Sequence, residues 1–311
     1  MTDAASAAAT GHFSQLGYVV RDLDRAIEMF ATRRGVTDFS VFSGPIPAFG
    51  RKATLRVALA YAGEFQIELI QPPLDVPTIY TDSIPPDLSS ARLHHICMQV
   101  ENSEEWSRVQ QRIAEQGMPI AIQESLSAVN YAYVDTRAES GHYTEYVLPS
   151  EEGRAWFASI PRNPLPADRT GRFYQLGYVV RDMERAIETF SQRRGIGGAW
   201  KIIEGPVPAY GRNTTVRTAH GQAGPIEIEL IQPPLDIPSI YTHAVPPDDA
   251  SARLHHIGLL VEDAAEWERV ERAIHDNGAP VGMRGSVPQA DYAYVDTRTE
   301  FGHYTEYVWR H

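Results

Sequence analysis

Along the first part of the chain, the spacing of hydrophobic residues alternates between strand-like and helix-like periods. A short β-rich run at residues 15–20 is followed by a helical pattern that Asp22 caps and Gly35 ends. Three strand-like runs come next, at residues 38–42, 53–61 and 65–70. This order predicts a βαβββ unit.

The same order then begins again. A strand is predicted at residues 94–100, and a helix starts at Ser103 and is closed by Gly117. Strands complete this second unit at residues 119–123, 131–134 and 142–147. Because each helix is expected to lie on one face of a mostly antiparallel sheet, the pattern predicts an α+β fold.

Whole segments of the sequence occur twice. QLGYVVRDLDRAIEMF, from Gln15, returns as QLGYVVRDMERAIETF from Gln175, and IELIQPPLD, from Ile67, returns from Ile228. We therefore predict a tandem duplication of a globular module that has its own core. The predicted parts are module 1 at residues 12–148, a linker at 149–172 and module 2 at 173–311.

The predicted linker contains four prolines and a short helical stretch. Ser150 can cap this helix, and Pro161 stops it. Trp156 and Phe157 are expected to pin the segment onto one of the modules.

Composition and charge narrow the class of ligand. Of the 311 residues, 43% are hydrophobic and 22% are charged, which suffices for a buried core. Acidic side chains outnumber basic ones 40 to 28, so the formal net charge is −12, and no Lys/Arg-rich run stands out. Nucleic acid and anionic membrane surfaces are therefore disfavoured as partners, and a small molecule is the expected ligand. Monomer and homodimer both remain open.

Three features bear on localisation. Cys97 is the single cysteine, which excludes an intrachain disulfide or a CxxC site and favours a reducing cytoplasm. No apolar run approaches the ~18 residues of a membrane span. Residues 1–11, rich in Ala, Ser and Thr, lack a basic segment and are expected to be a frayed tail rather than a signal peptide.

The order of elements resembles the vicinal oxygen chelate superfamily, which includes glyoxalase I, methylmalonyl-CoA epimerase, extradiol dioxygenases and the bleomycin and fosfomycin resistance proteins. Four pieces carry the resemblance in each copy: the opening strand with its Asp-capped helix (QLGYVVRDLDRA), the IELIQP strand, the HHI start of the second half and the closing GHYTEYV strand. The resemblance covers most of residues 13–147 and 173–308. It implies modules of two βαβββ units whose mixed sheet curls around a cleft.

Four polar positions of this superfamily serve as metal ligands. Aligning the half-modules places Gln15 against His95 and Glu68 against Glu145, and all four residue types recur in the second copy. The resemblance implies these ligands: Gln15, Glu68, His95 and Glu145 in module 1, and Gln175, Glu229, His256 and Glu306 in module 2. Oxygen donors with one imidazole suit a divalent ion such as Zn²⁺, Ni²⁺, Co²⁺ or Mn²⁺.

The half-sites can combine in two ways. Each module can supply its own four ligands, which we favour because it needs no exchange between the copies. In the crossed alternative, the first pair of ligands from one module combines with the second pair from the other, which gives two sites: Gln15 and Glu68 with His256 and Glu306, and Gln175 and Glu229 with His95 and Glu145.

Other recurring polar residues are weaker candidates. Strand alternation predicts that His94 and His255 face away from the ligand histidines that follow them, and that His142 and His303 face away from Glu145 and Glu306. Four recurring arginines are candidates either for gripping a substrate carboxylate or for ion pairs with Asp135 or Asp296. These arginines are Arg56, Arg137, Arg217 and Arg298.

Three functions compete. The favoured one is a metal-dependent isomerase, lyase or epimerase of the glyoxalase type, acting on a small carbonyl or thioester substrate through an enolate-like intermediate. For this favoured function, the resemblance implies that Glu145 and Glu306 transfer the proton. An extradiol dioxygenase needs iron held by two His and one Glu, and Gln15 and Gln175 stand where the second histidine is required. A metal-free binding protein of the resistance type would bury glutamates without a cation, which costs free energy.

Overall fold

The computed structural model describes residues 11–48, 51–164, 171–196, 198–209, 212–276 and 278–311. These residues form two β-sheets with helices packed against them, which is the predicted α+β class. Residues 1–10, most of the predicted tail, lie outside the described residues. None of the helices in the described part of the chain is long and apolar enough to cross a membrane.

The elements of the two modules follow one another in the same order. Module 1 contains β1 His12–Val20, α1 Leu23–Arg34, β2 Ser40–Ala48, β3 Arg51–Ala62, β4 Phe65–Gln71, β5 Ala91–Gln99, α2 Ser103–Glu115, β6 Ile120–Ser125, β7 Val129–Val134, α3 Arg137–Ser140 and β8 Tyr143–Pro149. The linker contains α4 Glu151–Ala158 and β9 Arg162–Asn163. Module 2 contains β10 Arg172–Val180, α5 Met183–Arg194, β11 Lys201–Ala209, β12 Arg212–Ala223, β13 Ile226–Gln232, β14 Ala252–Val261, α6 Ala264–Asp276, β15 Val281–Val287, β16 Ala290–Val295, α7 Arg298–Phe301 and β17 Tyr304–Arg310.

Each sheet joins two half-modules at its centre. The strand order is β2-β3-β4-β1-β5-β8-β7-β6 in module 1 and β11-β12-β13-β10-β14-β17-β16-β15 in module 2. The central strands β1 and β5 are antiparallel, whereas β1 pairs in parallel with β4 and β5 pairs in parallel with β8. The predicted tandem repeat of a mixed sheet built from two βαβββ units is thus confirmed.

Local sequence signals set the ends of the first helix in each module. The Asp22 side chain accepts a hydrogen bond from the Arg25 amide, and Asp182 caps α5 in the same way. Gly35 ends α1 with a φ of 68°, a left-handed conformation that favours glycine. The apolar face of α1 is buried, and Phe30 packs edge-on against Phe301 of module 2 with ring centroids 5.2 Å apart. The helix therefore lies between the two modules.

The linker packs on module 1. The Ser150 hydroxyl accepts a hydrogen bond from the Gly153 amide, and α4 ends before Pro161, as the sequence predicted. Phe157 joins the buried cluster on the cleft side of module 1, and β9 pairs with the end of β3. Residues 150–163 therefore extend module 1, and the boundary drawn at residue 148 stays a prediction.

The largest buried cluster is shared by both modules. It includes Phe13 and Phe65 from module 1 and Phe173 from module 2, and their ring centroids lie 4.8 to 5.3 Å apart. Smaller clusters around each cleft and beneath α2 and α6 belong to one module alone. The prediction that each module has a core of its own is therefore correct only in part.

His142 and His303 lie at this interface. His142 Nε2 is 2.8 Å from the Tyr178 hydroxyl of module 2, and His303 Nε2 is 3.0 Å from the Tyr18 hydroxyl of module 1. The Nδ1 atom of each histidine faces the backbone carbonyl of the next residue, so Nδ1–H donates there and Nε2 accepts from the tyrosine. Two matching hydrogen bonds thus join the modules.

Candidate metal centre

The four central strands of each sheet bring the predicted ligands onto one face. In module 1, Gln15 lies on β1, Glu68 on β4, His95 on β5 and Glu145 on β8. Gly17 of β1 is opposite both Glu68 and His95, so these side chains flank a position that has no side chain of its own. The strands β2 and β6, at opposite edges of the sheet, line the same cavity, so the sheet curls around this face.

Three donor atoms converge in module 1. His95 Nε2 lies 3.2 Å from Glu68 Oε2 and 3.4 Å from Glu145 Oε2. The three ligand atoms lie within 4.8 Å of one another. Gln15 lines the same cavity, and its amide nitrogen donates to Gln66 Oε1 at 2.6 Å.

Module 2 repeats the arrangement with its own residues. His256 Nε2 lies 3.3 Å from Glu229 Oε2, 3.2 Å from Glu306 Oε2 and 3.1 Å from Gln175 Oε1. The Gln175 amide nitrogen donates to Glu227 at 2.7 Å, which turns its oxygen toward His256. In both modules, the structure brings together the ligand set of one module rather than the crossed set.

A second histidine sets the tautomer of each candidate ligand. His94 Nε2 faces the Ile79 carbonyl at 3.1 Å, so this nitrogen carries the proton, and burial holds the pKa of His94 well below its usual value. The bare Nδ1 of His94 then accepts from His95 Nδ1–H, 3.1 Å away. His95 Nε2 is therefore the nitrogen left to face the two carboxylates. His255 positions His256 in the same way.

The prediction that His94 and His255 face away from the ligand histidines was wrong. Gly17 pairs with His95 but the next residue, Tyr18, pairs with Leu93, so His94 is an extra residue in a β-bulge. Bulges interrupt strand alternation and re-aim side chains beside functional sites. His255 occupies the corresponding bulge of β14.

The site places two carboxylates against one histidine. Burial lowers the pKa of His95, but the Glu145 and Glu68 carboxylates outweigh burial and raise that pKa to about 9. Burial raises the pKa of Glu68 because its charged form loses hydration. Among the described residues, Glu68 Oε2 and His95 Nε2 are buried 3.2 Å from each other, but neither makes a hydrogen bond of good geometry. Atoms that converge in this way fit a bound divalent cation, which would balance their charge and use their lone pairs.

A cavity of about 450 Å³ opens onto the module 1 site. Gln15, Glu68 and Glu145 lie on its inner surface, and most of the remaining wall is apolar. Part of this wall comes from Trp156 and Phe157 of the linker helix. Sequence reasoning assigned these two residues only a packing role, because nothing local in the sequence shows which surface the linker covers.

His220 of module 2 was not among the predicted site residues. It is opposite Glu229 in the β12–β13 register, with Nδ1 3.1 Å from Glu227 and Nε2 3.9 Å from Glu229. Its counterpart in module 1 is Leu59, so comparing the two copies gave no signal for it. The two sites therefore share their central donors and differ around them.

The recurring arginines form ion pairs with protein carboxylates. Arg137 lies 2.7 Å from Asp135, and Arg298 lies 2.6 Å from Asp296. Arg56 pairs with Asp24 at 2.9 Å, and Arg217 pairs with Glu184 at 2.7 Å. Arg137 and Arg298 thus form the predicted ion pairs, whereas the partners of Arg56 and Arg217 are carboxylates that were not predicted.

The sequence matches the model of the Glyoxalase/Bleomycin resistance protein/Dioxygenase superfamily over residues 14–129 and 174–295. The chain belongs to this superfamily, which confirms the resemblance found in its repeated motifs. Among curated protein sequences, none matches the chain significantly.

Solved structures share the fold at low sequence identity. A variant of 4-hydroxymandelate synthase from Streptomyces coelicolor is 12% identical with a TM-score of 0.57, over 96% of this chain and 92% of that one. The Mn(II)-bound glyoxalase from Novosphingobium aromaticivorans is 11% identical with a TM-score of 0.55, over 96% and 82%. Homoprotocatechuate 2,3-dioxygenase from Brevibacterium fuscum is 11% identical with a TM-score of 0.53, over 97% and 82%. At these identities the similarity concerns the fold alone.

Proposed function

We propose that the protein is a metal-dependent isomerase, lyase or epimerase of the glyoxalase type that acts on a small carbonyl substrate. The observation that carries the proposal is the convergence of one imidazole nitrogen and two carboxylates in each module, beside a glutamine. The residues that would hold the ion are Gln15, Glu68, His95 and Glu145, and their counterparts Gln175, Glu229, His256 and Glu306.

In the proposed chemistry, the metal ion and the protein side chains have separate roles. A divalent ion held by these residues would supply Lewis acidity at the carbonyl of the substrate. Glu145 would take the proton next to that carbonyl and return it to the product. His94 holds His95 in the tautomer that leaves Nε2 facing the site. The apolar cleft of module 1 keeps bulk water away from the proton that is moved.

Two alternatives differ in their chemical requirements. Ring cleavage would need a second histidine among the ligands, and both triads contain one histidine and two glutamates. A metal-free binding protein would place two glutamates against one histidine in each module without a metal ion to balance their charge, which costs free energy. The set of one histidine and two glutamates in each module therefore favours a metal-dependent lyase or isomerase over both alternatives.

Metal analysis tests the proposal first. Elemental analysis of the purified chain should find up to two divalent ions, one for each triad. Replacing His95→Ala together with His256→Ala should abolish retention, and circular dichroism should show a folded protein. His275→Ala, at an exposed position of α6, is the control and should retain both ions. A chain that contains no metal and takes up none would favour the metal-free binding protein.

A proton-exchange measurement tests the enzyme class. The metal-loaded protein, incubated with 2-hydroxyacetophenone in D₂O, should exchange the protons next to the carbonyl, as followed by NMR. Binding of this compound without exchange, with metal present, would count against an isomerase or lyase.

A further inference from the structure

The clefts of the two modules have diverged in chemistry around the same central donors. In module 1 the wall beside the donors includes Leu59 and Tyr61 of β3, and Ile122 and Leu126 from the other edge of the sheet. None of the described residues that line this cavity is Arg, Lys or His. Apart from the two glutamates of the metal centre, the acidic residue on the wall is Glu152. The described lining therefore has no cationic side chain of its own, and Arg162 contacts it through the Tyr61 ring, 4.1 Å from the ring centroid.

The linker helix closes one side of this cleft. The Trp156 ring lies 5.4 Å from the Phe42 ring and 5.0 Å from the Phe157 ring, and all three residues line the cavity. Gly153 allows the helix to approach this closely, since a Cβ atom there would lie 2.0 Å from the Ala128 carbonyl oxygen. The helix is thus fixed in place as part of the wall.

Module 2 carries titratable groups at two of the corresponding positions. His220 replaces Leu59, and Glu227 replaces the uncharged Gln66. Glu227 contacts His220, accepts from Gln175 and lies 3.5 Å from Arg310. Arg310 also lies over the Tyr174 ring, 5.0 Å from its centroid. An apolar group placed here would remove charged groups from water without replacing their hydration.

We propose that the module 1 site selects substrates with an uncharged, largely apolar tail, an aryl or alkyl group, attached to the carbonyl-bearing head. The tail packs against the linker helix, so Trp156 and Phe157 determine specificity. This inference rests on the proposed function for the head of the substrate. It excludes tails with several carboxylates or phosphates, such as peptide or nucleotide conjugates, because burying such groups without a counter-charge is unfavourable.

Two matched probes test this inference on the full-length protein. One is biphenyl-4-carbohydroxamic acid, and the other is the same compound with a carboxylate on the distal ring. The protein carries Glu229→Gln and His256→Ala, which remove two ligands of the module 2 site, and is loaded with Co²⁺. Cobalt absorption reports binding of the hydroxamate head, and calorimetry gives the affinity. The uncharged probe should bind at least about tenfold more tightly than the charged one.

Matched substitutions locate the tail. Leu126 lines the cavity and is 56% exposed, whereas Leu88 is 50% exposed and lies outside the cavity lining. Leu126→Asp should lower the affinity for the uncharged probe at least about tenfold, because it places a charge beside the ring of the probe. Trp156→Ala should also lower this affinity. Leu88→Asp should leave the affinity unchanged. Equal binding of both probes, or equal effects of the two leucine substitutions, would overturn the inference.

Failure of the proposed function gives a different result. A protein that retains no cobalt, or whose cobalt absorption neither probe changes, contradicts the metal centre. The tail inference is then decided with 1-naphthalenemethanol, which lacks a chelating head. Binding that Leu126→Asp weakens and Leu88→Asp does not would support the apolar cleft, and no binding to the unmodified protein would overturn it.

Discussion

Gly17 and Gly177 leave the space that the ligand histidines fill. A Cβ atom on Gly17 would lie 1.9 Å from the His95 ring, and one on Gly177 would lie 1.8 Å from the His256 ring. Both distances are far below van der Waals contact, and the ring is held from behind by its neighbouring histidine. The glycine in the repeated QLGYVV segment is thus part of the site, although it has no chemistry of its own.

Gly17→Ala should displace the His95 ring and weaken metal binding at module 1 by at least about tenfold, with a stability cost of about 1–3 kcal/mol from overpacking. Metal affinity by calorimetry and unfolding in urea measure the two effects. Gly44→Ala is the control, because a Cβ atom there would meet nothing within 4 Å. Unchanged metal affinity in Gly17→Ala would contradict the position assigned to His95.

Glu145 and Glu68 have different assigned roles although both face His95. Glu145→Gln keeps the volume and an oxygen but removes the basicity, so turnover should fall by roughly 10²–10⁴ while metal stays bound. Glu68→Gln should mainly weaken metal affinity. Turnover is measured at saturating metal, and metal content is measured in parallel. If both variants lost activity only in proportion to lost metal, the assignment of Glu145 as base would fail.

Among the elements, the interfaces of β1 with module 2 and of β10 with module 1 depend on neutral histidines. Burial lowers the pKa of both His142 and His303 to about 3. Each accepts a hydrogen bond at Nε2 from a tyrosine of the other module, which a protonated ring cannot do. Because burial disfavours the charged ring, these two contacts are most stable at a pH at which both histidines are neutral.

This preference predicts the direction of pH dependence. The unfolded chain binds protons on these histidines below its pKa of ~6.5, while the folded chain binds them only near pH 3. Their contribution to the free energy of unfolding is complete when the pH is above the histidine pKa of ~6.5 in the unfolded chain. It is lost as the pH falls below that pKa. His142→Gln with His303→Gln should make the decrease between pH 7 and pH 4 shallower in urea unfolding. His275→Gln, at an exposed position, should not.

At the scale of the whole molecule, the two modules depend on each other for burial. Phe13 and Phe65 of module 1 pack against Phe173, and Phe30 packs against Phe301. An isolated module 1 would expose these rings to water. Such an exposed apolar patch favours association or aggregation.

Residues 12–163 expressed alone should therefore dimerise or aggregate rather than remain a monomer. A dimer can form because the equivalent face of a second copy resembles the missing module. Size-exclusion chromatography with light scattering measures the mass, and Phe13→Ser with Phe65→Ser should shift the fragment toward monomer. A fragment that is monomeric without these substitutions would mean that the shared cluster contributes little.

The amino-acid sequence by itself determined the repeat, the α+β class and the eight candidate ligand positions. The repeat and the class follow from helix and strand periods, which are local, and from comparison of the two copies, whereas the ligand positions follow from the resemblance of the repeated motifs to the superfamily. Tertiary structure decided which half-sites meet, since Gln15, Glu68, His95 and Glu145 are brought together by strand pairing across long stretches of chain. It also decided that a bulge places the His94 ring next to the His95 ring, that the linker helix forms part of the wall of one cleft, and that the modules share a core. Strand register and packing between distant segments depend on the whole fold, so no local pattern encodes them.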